Sequence, residues 1–556
     1  MKNKFYTLTA KGFLCGTILL FNSMATFAQS PSWLWAESAG GINDDAGYSI
    51  AVNVNGNCYV TGYFRSNTIT FGSTTLTNSN NGSLFVVKYD PLGNVLWAKQ
   101  AENGYGFSIA VDTNGYSYVT GAFEGTSIVF GSTTLLNTSI SLNDIFIVKY
   151  DPSGNVVWAK SASGNNIENA SSISVNPAGN SYITGNFVSD SITFDNITLI
   201  NGNPGYDLIF ITKYDASGNV VWAKSPVGTD NAAYSIKTDV SGNSYLTGYF
   251  RNAPITFGSF TLLPVGSFDI FLVKYDSSGN VLWANRAAGT SLDFGLGVTV
   301  DANGNSYMTG SFISPTLDFG STALTFTGGV GGDAFIAKYD VSGNVLWAKS
   351  AVGLSDDHGY AITADANGNC YVTGSFLSTT ITFGSITLTN GGNTDIFIAK
   401  YDSLGNAVWA KSAGGNNADV GYGIITDVNE NLHITGIYRS PSITFGTSTL
   451  TNADNSGLTT DIFVAKLDSF ITTGIAEENN SFNEINLFPN PGNGKINITS
   501  SDIIEEIKIT NPLGQIIYRA NPNEKDISVH IDNDGIYFVI IKADKLTTTR
   551  KVIVQY

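Results

Sequence analysis

Two polar patterns in this sequence have the residue types of a functional site. The first is an Asp-x-Asn-Gly-Asn run at 301–305, whose alternating carboxylate and amide oxygens suit a Ca²⁺ ion. A calcium loop also needs an acidic ligand about twelve positions along, but that position is Phe312. Asp and Asn side chains also accept hydrogen bonds from turn backbone, and Gly supplies a positive φ. We therefore predict that the run turns a hairpin, and we predict no cofactor or metal.

The second pattern is an acid placed five residues before the first apolar position of an apolar run. The five acids of this kind are Asp45, Glu168, Asp293, Asp357 and Asp419. We predict that each caps the turn at the start of its strand. The alternative is a cation or amino-sugar site, which clustered carboxylates would favour.

One histidine is a candidate for acid–base chemistry. His358 lies in the segment SDDHGY beside Asp356 and Asp357, although a single loop histidine is more often solvated than catalytic. His433 stands where related segments have Tyr, which predicts a core position, and His530 lies in a separate C-terminal region. The sequence has no nucleophile elbow, phosphate loop or HExxH motif, so we predict no catalytic residue.

These residues belong to a repeat. Seven units, spaced by 61 to 64 residues, begin at Trp35, Trp97, Trp158, Trp222, Trp283, Trp347 and Trp409. Each unit contributes four apolar runs of strand length, which we name A to D and which YGFSIAVD, SYVTGAF, DIFIVKYD and NVVWAKS exemplify. Short Asn-Gly or Gly-Asn turns join A to B and C to D, as in hairpins. The sequence therefore predicts seven four-stranded antiparallel sheets.

The ends of the repeat array predict how the sheets assemble. Stacked sheets either close into a ring or continue as an open solenoid. The array starts with a D strand at 33–37 and finishes with a C strand at 461–468. Pairing of these two strands would leave no sheet edge open. We therefore predict an all-β fold, a seven-bladed β-propeller at 29–468 closed by its N-terminal strand.

The repeat carries a family resemblance. AYSIKTDVSGNSYLTGYF and its six relatives resemble the bacterial seven-bladed β-propeller repeat, a secreted family. The resemblance implies this fold and a location outside the cell, and it implies no particular reaction.

A residue that occurs in every unit is best explained by a structural role in the repeat. The repeated lysines are predicted to pack as stems between sheets, with the ammonium group at the rim; they are Lys88, Lys149, Lys213, Lys274, Lys338, Lys400 and Lys466. Functional residues are instead expected on the face formed by the variable B-to-C and D-to-A connections. Each B-to-C connection, such as TITFGSTTLTN at 68–78, predicts an extra hairpin above its blade. Arg65, Arg251 and Arg439 follow strand B and are predicted to be solvated, with a contact to an anionic partner as the alternative.

The N-terminus and the charge predict where the protein is found. Residues 1–28 combine lysines, a ten-residue apolar run and Thr26-Phe27-Ala28, the pattern of a cleaved signal peptide. The run has about half the length of a bilayer-spanning helix, so no transmembrane segment is predicted. A formal net charge of −17 argues against nucleic acid as a partner. Cys58 and Cys370 occupy the same place in two units and are predicted to be buried free thiols, with a disulfide as the alternative.

The C-terminal part has a different pattern. After a polar linker at 469–484, alternating strands at 485–556 predict a small β-sandwich. It resembles the type A sorting domain of the type IX secretion system, and the residues that carry the resemblance are Asn490, Pro491, Gly514, Gly535, Tyr537 and Lys551. The resemblance implies the type IX machinery as a partner, export across both membranes, and removal of the domain with surface attachment or release.

Together these observations favour a secreted or cell-surface β-propeller that acts as a non-catalytic binding module for a glycan, a protein or a matrix component. Its predicted binding residues, on the variable face, are Asp45, Glu168, Asp293, Asp357, His358 and Asp419. One alternative is an extracellular hydrolase or lyase that acts on polysaccharide through Asp357 and His358. A second alternative is a structural surface or adhesin component.

Overall fold

The computed structural model describes residues 31–80, 82–138, 142–468, 485–490, 492–511, 515–543 and 546–555. These residues form strands, turns and bends and contain no helix, so the all-β prediction is confirmed. Consequently, the described part of the chain offers no helix long and apolar enough to cross a membrane. The chain divides into one unit at 30–471 and a second that contains 472–556. The predicted signal peptide and linker lie outside the described residues.

Within the described part of 31–468, seven antiparallel groups of four strands are numbered sheets 1 to 7. Six of them are separate four-stranded sheets, and the strand D edge of sheet 5 continues into the two-stranded hairpin of sheet 6. In chain order of sheets 1 to 7, the A strands are Asp45–Val52, Gly104–Val111, Glu168–Val175, Asn231–Thr238, Asp293–Val300, Asp357–Ala364 and Asp419–Thr426. The B strands are Cys58–Phe64, Ser117–Phe123, Ser181–Phe187, Ser244–Phe250, Ser306–Phe312, Cys370–Phe376 and Leu432–Tyr438. The C strands are Ser83–Tyr89, Asp144–Tyr150, Leu208–Tyr214, Asp269–Tyr275, Asp333–Tyr339, Asp395–Tyr401 and Asp461–Leu467. The D strands are Val95–Glu102, Val156–Ala162, Val220–Lys224, Val281–Ala287, Val345–Val352, Ala407–Ala413 and, for sheet 7, Trp33–Ala39.

The sheets follow one another around a central channel. Strand A of each sheet packs against strand A of the next, and strand A of sheet 7 packs against that of sheet 1. A cavity of about 200 Å³ is lined by A strands from all seven sheets. Sheet 7 contains the N-terminal strand Trp33–Ala39, which pairs with Asp461–Leu467. The repeat region is therefore a β-propeller with strand A at its axis and strand D at its rim.

The core lies between neighbouring sheets, which explains why many strands are apolar at consecutive positions. Strand C of sheet 2 is buried along its whole length, because sheets 1 and 3 cover its two faces. Cys58 and Cys370 lie in this inter-sheet core; both are buried, as predicted, and each is a free thiol.

The Asp-x-x-Gly-Asn segments are turns, as predicted. Asp301 Oδ1 accepts the backbone N–H groups of Asn303 and Asn305, each at 2.9 Å, and Gly304 has a φ of 81°. In the C-to-D turns the same bonds lower the pKa of the aspartate. At Asp340 the cause is the side chain of Asn344, followed by desolvation, which opposes the shift, and by backbone N–H donors.

In sheets 1 to 5 the repeated lysine donates to a carbonyl oxygen in the C-to-D turn of the next sheet. Lys88 Nζ donates to the carbonyl oxygen of Pro152 at 2.9 Å, in the C-to-D turn of sheet 2, and lies 5.2 Å from the ring centroid of Tyr59. The structural role is as predicted, but these ammonium groups sit beneath the turn of the next sheet. Lys466 Nζ of sheet 7 instead lies 3.0 Å from Asp427 Oδ2 of its own sheet. In sheet 7, His433 replaces the tyrosine of strand B; it is buried, as predicted, and contacts Asp427 Oδ2 at 3.3 Å.

A hairpin follows strand B in every sheet. The hairpin strands are Thr68–Phe71 with Thr74–Thr77, Ser127–Phe130 with Thr133–Leu136, Ser191–Phe194 with Ile197–Ile200, Ile255–Phe257 with Phe260–Leu262, Thr316–Asp318 with Ala323–Thr325, Thr380–Phe383 with Ile386–Thr389, and Ser442–Phe445 with Ser448–Thr451. The prediction that these hairpins stand above the blades is wrong. Each lies at the rim, beside strand D of its own sheet and strand D of the preceding one, because its apolar side chains complete the core between those sheets.

A β-bulge interrupts strand A in every sheet. In sheet 1, Gly47 pairs with Gly62 and Ser49 pairs with Thr61, so Tyr48 is the extra residue. The carbonyl oxygen of Ala46 then points at Gly62, where a Cβ atom would lie 1.8 Å from it. Strand B of every sheet has a glycine at this position, and the corresponding separations are 1.8 to 2.0 Å. This glycine is therefore required because no side chain fits beside the bulge.

The C-terminal unit is a six-stranded antiparallel sheet built around the long strand Lys495–Thr510. Its other strands are Asn486–Phe488, Ile516–Ala520, Glu524–His530, Gly535–Ala543 and Leu546–Val554. Isoleucine, valine and tyrosine side chains from these strands form one core. Two of the predicted motif residues stabilise the edges of this unit. Asn490 bonds the backbone of Lys551 and Ile553, and the Tyr537 hydroxyl donates to Asn533 O at 3.0 Å.

The structure describes two of the other four motif residues. Gly535 adopts a φ of 152° with the ring of Tyr537 close by, and the side chain of Lys551 is exposed. Pro491 and Gly514 lie outside the described residues.

Replacing a strand B glycine tests the close approach at the bulge. We expect Gly248→Ala to lower the free energy of unfolding by about 3 kcal/mol or more, because a Cβ atom there would lie 2.0 Å from Ala232 O. Gly202→Ala is the control, since a Cβ atom at Gly202 meets nothing within 4 Å. Urea unfolding of both variants provides the measurement. Equal unfolding midpoints would show that the backbone relaxes and that the glycine is not required.

Candidate binding site at the mouth of the channel

The seven bulges place seven side chains at one mouth of the channel. The bulge residues are Tyr48, Phe107, Ser171, Tyr234, Leu296, Tyr360 and Tyr422. Each lies one or two positions before the strand A residues that line the channel, on the side where the variable connections join strand A. A bulge turns the extra residue away from the regular alternation of the strand. These side chains therefore form the rim of the channel mouth, and five of them are aromatic.

The aromatic rings of sheets 6, 7, 1 and 2 form a continuous series. The ring centroids of Tyr360 and Tyr422 are 5.3 Å apart, those of Tyr422 and Tyr48 are 5.4 Å apart, and those of Tyr48 and Phe107 are 6.0 Å apart. These separations are typical of interacting aromatic pairs. The rings are half-buried, so each keeps one part in contact with its neighbours and another part open to solvent.

A second row of side chains lies behind these rings. The centroid of Tyr63 is 5.6 Å from that of Tyr48 and 5.4 Å from that of Tyr105. Arg65 lies over Tyr63 at 5.4 Å and is exposed. Burial raises the pKa of Tyr422 to about 12 and that of Tyr48 above its usual range. These phenols are therefore neutral at physiological pH and can both donate and accept hydrogen bonds. We call Tyr48, Tyr63, Tyr105, Phe107, His358, Tyr360 and Tyr422 the aromatic mouth.

Sheets 4 and 5 carry a smaller aromatic group. The ring centroid of Tyr249 lies 5.8 Å from that of Tyr234 and 4.8 Å from that of Phe268. Arg251 lies over Phe268 at 4.7 Å and forms an ion pair with Asp230, with its Nε 2.7 Å from Oδ2. Arg251 is therefore partly solvated, as predicted, but an adjacent carboxylate and ring also hold its guanidinium group.

The exposed surface of the channel beneath the mouth is mostly polar, although many of its lining residues are aliphatic. Among the residues that line its cavity, Lys237 is the one with an ionisable side chain. Burial lowers the pKa of its ammonium group. The channel thus combines aliphatic walls and a single cation with Ser and Thr hydroxyl groups.

The acids predicted from the sequence do not ring the mouth. In sheet 1, Asp45 is fully buried; its Oδ1 accepts the backbone N–H groups of Arg65 and Ser66, at 2.9 and 3.1 Å. Its Oδ2 accepts the Ser66 hydroxyl at 2.8 Å. The other four, Glu168, Asp293, Asp357 and Asp419, are also buried and each accepts a hydroxyl hydrogen bond from the equivalent serine.

These acids cap the turn that follows strand B. Asp419 Oδ2 also accepts the backbone N–H of Gly415 at 2.9 Å, and Gly41 and Gly164 donate in the same way to Asp45 and Glu168. The predicted cap of the turn that enters strand A is therefore confirmed for these three acids.

This arrangement corrects the hypothesis of a cation or amino-sugar site formed by the five acids. Their carboxylates face backbone N–H and hydroxyl donors inside the protein, which leaves them inaccessible to a ligand at the mouth. Within the described residues, no group of three or more His, Cys, Asp or Glu side chains is arranged to hold a metal ion.

Several of these acids lie beside a second acid from the preceding sheet. Burial raises the pKa of Glu168 well above its ordinary value; the hydrogen bond from Ser189 opposes this shift, and Asp144, which shares a hydrogen bond with Glu168, adds to it. Burial likewise raises the pKa of Asp357 to about 7, and Asp333 adds to the shift. Asp461 behaves in the same way beside Asp45, with a pKa of about 7. At neutral pH these buried pairs hold protons and serve as structural hydrogen-bond groups.

His358 is the one predicted binding residue that the structure places in the mouth. Its ring lies 5.6 Å from that of Tyr360. Burial lowers its pKa, an effect that Asp356 opposes. The adjacent Asp357 is engaged with Ser378 and does not partner His358.

The sequence analysis missed the aromatic mouth itself. The relevant positions are the second and fourth of strand A and the sixth of strand B, which vary between units while their neighbours repeat. Segments such as GYSIAV, GYGFSIAV, HGYAIT and VGYGII show the aromatic residues. The glycine of strand B, which marks the bulge, is present in every unit. Variable aromatic residues close to a repeated glycine were therefore the pattern from which the aromatic mouth could have been predicted.

Comparison with known proteins gives a family match for the C-terminal unit and more distant relatives for the chain. Residues 486–555 match the family model of a secretion system C-terminal sorting domain. An uncharacterised WD repeat-containing protein of Acanthamoeba polyphaga mimivirus is 26% identical over 529 residues, covering 78% of this chain and 38% of the viral protein. Regulatory protein FlaEY of Caulobacter vibrioides is 26% identical over 214 residues, covering 35% of this chain and 22% of FlaEY. The chain therefore spans well under half of the length of these relatives.

Solved structures with a similar chain course include propellers. The Neurospora crassa Pan2 WD40 domain covers 79% of this chain and 98% of that domain, at 10% identity and a TM-score of 0.39. PorZ of Porphyromonas gingivalis, a surface component of the type IX secretion system, covers 94% of this chain and 100% of PorZ, at 10% identity and a TM-score of 0.25. Both TM-scores are low, so the propeller assignment depends on the strand pairing described above.

The buried carboxyl pairs predict how stability depends on pH. The folded pKa of Glu168 lies well above its ordinary value of 4.5, so its contribution to stability is fully present below pH 4.5 and is lost as the pH rises through that raised pKa. We expect Glu168→Gln to raise the melting temperature at pH 9 by about 2 °C or more and to leave it nearly unchanged at pH 5, because an amide stays neutral.

The exposed Asp190→Asn is the matched control and should shift the melting temperature little at either pH. Melting curves of all three proteins at pH 5 and pH 9 provide the measurement. An identical pH dependence for Glu168→Gln and the unchanged protein would contradict the assignment of a buried proton to this pair.

Proposed function

We propose that this protein is an exported, non-catalytic binding protein that presents a closed seven-bladed β-propeller at the cell surface and binds a saccharide at the aromatic mouth. The observation that carries the proposal is the series of rings set by the bulges. The same backbone device occurs in all seven sheets, whereas the side chains that it presents differ from sheet to sheet. Variation confined to positions that the scaffold does not need is expected of a binding surface.

The chemistry of the mouth supports a saccharide ligand. Ligand sites are concave and mostly apolar, with a small number of polar groups that orient the ligand. Here the rings supply apolar faces for the C–H groups of a sugar, and phenol hydroxyls supply donors and acceptors for its hydroxyl groups. Arg65 and His358 add polar groups at the edge of the same surface.

A binding role fits the mouth better than a catalytic one. General acid–base catalysis requires a titratable group within hydrogen-bond reach of the substrate, but Asp357 is fully buried and bonded to Ser378. Among the described residues no carboxylate is hydrogen-bonded to His358, and Asp356 acts on it only through its charge. The alternative of a polysaccharide hydrolase or lyase therefore lacks the pair of groups on which it depended.

The C-terminal unit supports the location. A secretion system sorting domain at 486–555 indicates an exported protein and implies contact with the secretion machinery. We infer that this machinery is the type IX system, and that the propeller remains attached to, or is released from, the outer surface after the sorting domain is removed.

Removing two rings from the mouth tests the binding role. We expect the double variant Tyr48→Ala with Tyr422→Ala to bind a hexasaccharide at least tenfold more weakly than the unchanged protein, because loss of two stacked rings removes on the order of 1–3 kcal/mol of contact. Isothermal titration with cellohexaose, xylohexaose, mannohexaose and maltohexaose provides the measurement. Tyr206→Ala removes an exposed tyrosine from a loop and should leave the affinity unchanged. Equal affinity in all three proteins would place the ligand elsewhere.

Removing the sorting unit tests the proposed route of export. We expect a chain without residues 485–556 to accumulate inside cells that carry the type IX system, because the machinery would no longer recognise it. Cell fractionation and immunoblotting measure the distribution, with the full chain as control. Equal amounts of both chains outside the cell would show that the C-terminal unit is not the export determinant.

A further inference from the structure

A second concave site lies at the rim of the propeller, between sheets 4 and 5. Its cavity has a volume of about 870 Å³, within the range of small-molecule sites. Two hairpins, strand D of sheet 4 and the C-to-D turn of sheet 5 enclose it. The residues of interest here are Leu263, Asn285, Arg286, Asp318 and Phe319, and we call this cavity the rim pocket.

The rim pocket exists because one repeated side chain is shortened. Strand D carries a lysine after Trp-Ala in sheets 1, 2, 3, 5 and 6, but sheet 4 has Asn285 there. In sheet 2 this lysine is Lys160, whose Nζ crosses to the hairpin of sheet 3 and contacts Asp195 Oδ1 at 3.3 Å. Asn285 cannot reach the hairpin of sheet 5, and its Nδ2 donates instead to Gly343 O at 2.6 Å. The space that a lysine stem would occupy is therefore left open.

A second departure from the repeat adds a carboxylate to the same space. The hairpin of sheet 5 has the Phe-Gly-Ser-Thr turn that the hairpin of sheet 1 has at 71–74, and the backbone N–H of Phe319 donates to Thr322 O at 2.8 Å across it. Asp318 precedes this turn, at the position where the hairpins of sheets 1, 3, 4, 6 and 7 have threonine. The Phe319 side chain is buried and forms part of the pocket wall. Two independent sequence changes thus meet at one junction between sheets.

The polar groups of the rim pocket are balanced in charge. Arg286 replaces the serine that five other sheets have at this position; its Nη1 donates to Leu263 O, which leaves the rest of the guanidinium group directed to solvent. Asp318 Oδ1 accepts the N–H of Gly320 at 2.8 Å, and both side chains are exposed. An ion of either sign would be attracted by one of these two groups and repelled by the other, so the pair favours neither anions nor cations. A neutral ligand with many hydroxyl groups can both donate to the carboxylate and accept from the guanidinium group.

We propose that the rim pocket is a binding site for a neutral oligosaccharide, separate from the aromatic mouth and not dependent on it. Exposed Leu263 supplies an apolar contact for the sugar ring. The volume exceeds what a single amino acid needs and suits an oligosaccharide segment. A protein with two such sites would hold a polysaccharide at two points and gain avidity.

The test replaces two residues of the rim pocket with the residues that most other sheets have at the same positions. Asn285→Lys fills the pocket with the residue that most sheets carry, and Arg286→Ser removes the guanidinium group in the same way, so both variants should fold. Lys160→Asn is the matched control, because it makes the opposite exchange at the junction of sheets 2 and 3. Isothermal titration of the full chain with cellohexaose, xylohexaose, mannohexaose and maltohexaose is run beside the tripeptide Gly-Gly-Gly. We expect at least one hexasaccharide to bind tenfold more weakly to each pocket variant and equally well to Lys160→Asn.

The outcomes separate this inference from the proposed function. Loss of binding in the pocket variants, with the mouth double variant reduced independently, supports both sites. Loss in the mouth double variant alone overturns the rim pocket and leaves the proposed function standing, whereas loss in the pocket variants alone supports the rim pocket and overturns the mouth. Binding of Gly-Gly-Gly that the pocket variants abolish, without hexasaccharide binding, overturns the ligand class. No binding of any hexasaccharide overturns both proposals.

Discussion

In every sheet of the propeller, a carbonyl oxygen of strand A points at a glycine of strand B, and the space between them admits no side chain. At Gly374 a Cβ atom would lie 1.8 Å from His358 O. This close approach is what the bulge in strand A requires, and the bulge is what turns Tyr360 and its counterparts towards the mouth. A glycine that is structural in every unit therefore determines where the variable side chains are presented.

The two ends of the channel have different roles. At the end of the A-to-B and C-to-D turns, lysines of sheets 1 to 5 bond the C-to-D turn of the next sheet, and tyrosines of sheets 1, 2, 4 and 5 bond its A-to-B turn. The same contacts thus recur in most of the sheets. At the other end, buried carboxyl groups cap the turns after strand B, and the aromatic side chains lie above them. The cost of burying these acids is reduced because they hold protons and accept several hydrogen bonds. Repetition thus accounts for the scaffold, and departures from it account for the aromatic mouth and the rim pocket.

Much of the scaffold was predictable from the sequence, because strand periodicity and turn chemistry are local properties. The four strands of each sheet, the Asp-Gly-Asn turns, the buried thiols and the core position of His433 follow from such patterns. The acids at strand A were harder to interpret, since the donors that they cap are about 20 residues away along the chain and become neighbours only through the A–B pairing. The hairpins, the ion pair of Arg251 and the bulge depend in the same way on contacts between strands or sheets. A pairing register is not encoded in any single segment, so the aromatic mouth could not be recognised from spacing alone.

The central claim is that the seven bulges present a ligand site. A crystal structure of the protein soaked with the hexasaccharide that binds most tightly tests it most directly. The account predicts a sugar ring in contact with Tyr48 or Tyr422 at the mouth of the channel. A well-occupied saccharide elsewhere on the propeller, with the mouth filled only by solvent, would contradict it.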